Sequence, residues 1–71
     1  MSLGDADQRT RFSETLHRWA VAHVSKSTSE GEIAYWVRQH ADTLDATGIG
    51  ADERSSIIAA AARAAWAGHS D

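Results

Sequence analysis

Ser27-Thr28-Ser29-Glu30-Gly31-Glu32-Ile33-Ala34-Tyr35-Trp36-Val37-Arg38-Gln39-His40-Ala41 decides the reading of this chain, because it holds a helix start and a helix face in one run. Ser29 with Glu32 three residues on forms a capping box, and Ser27 with Glu30 forms an overlapping one. Behind them Ile33, Val37, His40, Ala41 and Leu44 recur at the three-and-four spacing of a helix with one buried face. Thr47-Gly48 then offers glycine at a left-handed cap, so the spacing predicts a helix over about 29–47.

Upstream, the same period appears in Phe12, Leu16, Trp19, Ala20 and His23, with Asp5 and Gln8 as a further capping pair, which predicts a first helix over about 5–24. Downstream, Gly50 breaks the chain. Asp52 and Glu53 then put negative charge at the start of a third helix over about 51–67, where the macrodipole favours it. No alternating strand pattern occurs and proline is absent. Short connections between helices of similar length make neighbours antiparallel, so the expected fold is all-α, a three-helix antiparallel (up-down-up) bundle forming one domain over 1–71.

Composition narrows the function. A chain of 71 residues buries only ~60% of its unfolded surface, and with no Cys it has neither disulfides nor thiolate metal ligands to reinforce it. Self-association is the expected support. The net charge is −3, and residues 39–71 carry two basic against five acidic groups. That balance opposes nucleic acid as a partner, because phosphate neutralisation supplies much of such affinity. No apolar run approaches ~20 residues and the first residues lack a basic, apolar leader, so no membrane partner and a cytoplasmic location are expected. Six Arg against one Lys and fourteen Ala suit a bacterial or phage origin.

Four features invite chemistry. His23 and His40 both sit on apolar stripes, but in an antiparallel pair they fall roughly 15 Å apart at 1.5 Å per residue, too far to share an ion. Glu14 and His17 have the spacing that di-iron bundles use twice; here it occurs once and faces solvent. Ser55, Ser56 and Thr43 have no base arranged beside them and read as capping or solvating residues. Arg11 and Arg18 share a face with Glu14 between them, an ordinary solvated face. No catalytic residue, metal or cofactor is expected, and the chain reads as a non-enzyme.

Leu44-Asp45-Ala46-Thr47-Gly48-Ile49-Gly50, with Ile57 seven residues further, resembles the turn of a helix-hairpin-helix motif. That resemblance implies DNA backbone binding by the Gly48-Ile49-Gly50 amides, with Arg54 nearby. Asp52 and Glu53 depart from it, standing where the family has donors, and Arg54 replaces a small packing residue. A helix-turn-helix is disfavoured by the third helix, since residues 57–67 are two Ile, seven Ala, one Arg and one Trp.

On a helical wheel Ile57, Ile58, Ala61, Ala64 and Ala65 form the core stripe of the third helix, and Ala59, Ala62 and Trp66 fall outside it. A helix apolar over most of its circumference needs cover on more than one side. The expected interface is therefore Ala59, Ala62 and Trp66, joined by Trp36 and Tyr35 beside the second helix's stripe. The function read from sequence is a small protein-protein interaction module, a regulator, adaptor or phage accessory protein. Its partner is itself, as a homodimer or other homo-oligomer through helix 3, or a larger protein. A small DNA-binding regulator is the alternative.

Overall fold

The computed structural model describes residues 3–70, with side chains described from 7 to 69. The elements in order are α1 (Leu3–His23), a 3-10 turn (Val24–Lys26), α2 (Glu30–Ala41) and α3 (Ala51–Ser70). Each helix packs against the other two, and no strand occurs among the described residues.

The shared core takes one stripe from each element. Phe12, Leu16 and Ala20 come from α1, with Val24 from the turn beyond it; Ile33, Val37 and Ala41 come from α2; Ile58, Ala61, Ala62 and Ala65 come from α3. Every set repeats at three or four residues, which is why a helix can bury it on one side. The small residues on α3 let its backbone come close to the larger side chains of α1 and α2, as alanine leaves little side chain between two helices.

Cross-links between elements show their order in space. Gln8 Nε2 donates to the Asp45 carbonyl at 3.4 Å, while Trp19, further along α1, stacks on His40, earlier in the chain than Asp45. Arg9 Nε lies 2.5 Å from Glu53 Oε1, joining the early turns of α1 and α3. These contacts are compatible with an up-down-up course.

The helix boundaries differ from expectation at informative places. α1 begins at Leu3, so Asp5 lies within the helix and cannot be its N-cap; its side chain lies outside the described residues. α2 stops at Ala41 and not near Thr47. There the Thr43 hydroxyl and amide both donate to the His40 carbonyl (2.7 and 3.0 Å), and the Leu44 amide donates to Ala41 O at 3.1 Å, a tightened last turn. Asp45 Oδ1 then accepts from the Thr47 amide at 3.0 Å and the Thr47 hydroxyl at 2.5 Å. Asp and Thr side chains that bond nearby backbone compete with the helix ladder, and here they win. Gly48 has φ 87, as expected for a left-handed glycine, but it closes a separate turn in which the Ile49 amide donates to Ala46 O at 3.0 Å. α3 runs through Gly68 to Ser70.

Candidate functional site

α2 begins as its sequence dictates. Ser29 is the N-cap, and its Oγ accepts from the Glu32 amide at 3.1 Å. The Glu32 carboxylate turns back one residue further than a standard capping box and takes the Thr28 hydroxyl at 2.7 Å and the Thr28 amide at 3.4 Å. The Thr28 hydroxyl, then its amide, and more weakly the Trp36 side chain hold this carboxyl below the usual range, against a small opposing effect of burial. Ser27 takes no part in the second box: its amide donates to Val24 O, the residue is 8% exposed, and its Oγ has no partner.

This start places an aromatic cluster between α1 and α2. The Trp19 indole stacks on His23 with centroids 3.9 Å apart and planes 17° from parallel, and on His40 at 4.8 Å and 10°. The expected separation of about 15 Å between these histidines was therefore too long, since the two stacking distances limit it to about 9 Å. Backbone register alone omitted the width of an indole that reaches between helices. His23 Nδ1 lies 2.8 Å from the Trp19 carbonyl, which can only accept, so that nitrogen carries the proton. Trp19, His23, Lys26, Ser27, Glu32 and Trp36 together line a groove of about 400 Å³.

Trp36 forms one edge of that groove and remains 46% exposed. Tyr35, 55% exposed, meets it edge to face at 5.1 Å. Two of the five residues expected at an interface are thus open to solvent together on α2. Those on α3 separate. Ala59 is exposed, but Ala62 is 1% exposed and belongs to the core, correcting its placement outside the stripe. Trp66 is half-buried, packs against the core and lies 5.7 Å from His69. Ala64, expected inside, is exposed and Ile57 is half-buried. The stripe of α3 is rotated from its expected position toward Ala62 and Trp66.

At the Gly48-Ile49-Gly50 turn, Ile49 packs against the core, the Gly50 carbonyl accepts from the Arg54 amide at 2.8 Å, and the Arg54 guanidinium pairs with Asp42. Arg54 is thereby committed within the fold. Glu14 and His17 share a shallow surface depression with Arg18 and Val21. Arg11 pairs with Asp7 at 3.0 Å. Among the described residues, no three His, Asp or Glu side chains stand close enough to hold a metal ion, and no helix is long and apolar enough to cross a membrane.

Sequence reading missed the groove. Trp19 and His23 at i, i+4 carried a stacking signal, whereas Ser27 read as a capping-box partner of Glu30 and only folding buries it. The class these observations define is a small all-helical domain with an aromatic face. No family model, curated protein or solved structure matches the chain.

Proposed function

We propose that this chain is an up-down-up three-helix interaction module, not an enzyme, and that it self-associates through the outer face of α2. The observation that carries this reading is the exposed Tyr35–Trp36 pair, since large aromatics open to water in an edge-to-face pair are typical anchors of an interface. The occupant we favour is a second copy, for reasons of symmetry and charge. Tyr35 and Trp36 are the middle residues of the twelve-residue α2. Glu30 and Glu32 lie in its first turn, Arg38 and His40 in its last. A two-fold axis at the aromatic pair sets two α2 helices antiparallel and brings the acidic turn of each copy to the basic turn of the other.

Helix 3 is the weaker route, because Ala62 and much of Trp66 are already covered within one copy. Sedimentation equilibrium across micromolar concentrations tests the reading. A reversible dimer that Trp36→Ala reduces to monomer, with helical circular dichroism unchanged, is expected. A wild-type monomer at every concentration, or a dimer indifferent to Trp36→Ala, overturns it.

A further inference from the structure

We infer that acid tightens the α2–α2 dimer, through an ion pair between His40 of one copy and Glu32 of the other that the two-fold axis makes twice. The inference rests on the antiparallel association proposed above and adds its regulation. Glu32, Trp36 and His40 follow one another at four-residue spacing, so they lie along one face of α2. With the two Trp36 side chains at the axis, residues equally far on either side of them meet. Glu32, one turn before Trp36, then falls opposite the second copy's His40, one turn after it. None of the three is sealed inside the fold: Trp36 is exposed, and Glu32 and His40 are half-buried.

Each partner keeps the atoms that the pair needs. His40 stacks on the Trp19 indole through the face of its ring, which leaves both nitrogens at the edge. The Thr28 hydroxyl and amide both donate to Oε2 of Glu32, and neither takes Oε1. The same two bonds hold the Glu32 carboxyl below its usual range, so it stays an anion throughout the region near pH 5 to 8 where histidine side chains change charge. The groups around His40 do not offer a free carboxylate within one copy. His23 of α1 stands beyond the indole, Lys26 of the 3-10 turn lines the groove beside it, and Arg38 shares the last turn of α2. At this end of α2, Asp42 is paired with Arg54 of α3 and Asp45 is engaged by Thr47. A proton on His40 thus gains its carboxylate from the second copy, and protonation and association favour each other.

Sedimentation equilibrium of the full chain at pH 8 and pH 6, at one ionic strength, tests this. The dimer dissociation constant should fall about tenfold at pH 6, roughly threefold for each of two partly exposed ion pairs. His40→Phe keeps a ring on Trp19 that cannot take a proton, and Glu32→Gln removes the anion, so each should give equal constants at the two pH values. His17→Gln, on the exposed side of α1, should keep the wild-type ratio, which separates this pair from a general loss of negative charge. Helical circular dichroism at both pH values verifies that each variant is folded. A wild-type dimer of equal strength at pH 8 and pH 6 would overturn the inference while leaving the self-association standing. So would a pH dependence that survives in His40→Phe or in Glu32→Gln, or that disappears in His17→Gln. A monomer at both pH values would remove the self-association and this regulation with it.

Discussion

Ala59 and Ala62 are one turn apart on α3, chemically identical, and opposite in consequence. Ala62 lies against the side chains of α1 and α2, whereas Ala59 faces water. Adding three carbons at Ala62 must push packed neighbours aside, so Ala62→Leu is expected to destabilise by about 1–3 kcal/mol. Ala59→Leu should stay within about 0.5 kcal/mol of the wild type. Urea unfolding of the two variants measures this, and the reverse ranking would mean that α3 sits in a different rotation. The sequence could not settle that rotation. From Ile57 to Ala67 only Arg63 is polar, so nothing along the run marks the solvent side. The phase is set from outside by the bulk of Phe12, Leu16, Ile33 and Val37, which short side chains must accommodate. On α1 and α2, where charged and apolar residues alternate at helical period, the buried stripes were legible at Phe12, Leu16, Ala20, Ile33, Val37 and Ala41.

At the scale of the element, α2 shows which local signals govern and which yield. Its start was legible because a hydroxyl at the N-cap answers an orphan amide wherever the helix is placed. Ser29→Ala should therefore cost about 1 kcal/mol in chemical denaturation. Its end was not legible, because Leu44 kept the apolar spacing while Thr43 and Asp45 offered the backbone other partners. Gly48→Ala should cost about 1 kcal/mol or more, since φ 87 crowds a Cβ against its own backbone. Acid titration reads the same two ends. Glu32 is held low by the Thr28 hydroxyl and amide, and Asp45 by the Thr47 hydroxyl and amide. Both carboxyls titrate lower in the folded chain than in the unfolded one. The stability they contribute is thus complete above the unfolded values of about 4.3 and 3.9, and disappears as pH falls through the lower folded ones. Glu32→Gln and Asp45→Asn should lower the melting temperature at pH 7, with the gap to the wild type closing in strong acid. A gap that stays constant down to pH 2 would show that ionisation is not what these residues contribute.

At the scale of the whole molecule, the fold measures 42 × 19 × 17 Å, a rod with much side wall for its volume, and it has no disulfide to reinforce it. Its core is built largely from Ala, Val and Ile, with Phe12 and Leu16 the larger contributions of α1. Little apolar area is removed from water per residue in such a core, so the second copy proposed over the Tyr35–Trp36 face would add a stabilisation that one chain lacks. Association with the folded state alone makes stability depend on protein concentration. The thermal midpoint of the wild type should rise by roughly 5–10 °C over a hundredfold increase in concentration. Trp36→Ala should remove that dependence while leaving a cooperative transition. Charge reversal tests the antiparallel pairing directly. Glu30→Arg sets the two first turns against basic last turns, and Arg38→Glu sets acidic last turns against acidic first turns, so each alone should weaken the concentration dependence. The double variant restores opposite charges across the two-fold and should recover it. Two single losses without recovery in the double variant would leave the aromatic anchor standing but reject the antiparallel crossing of α2 on α2.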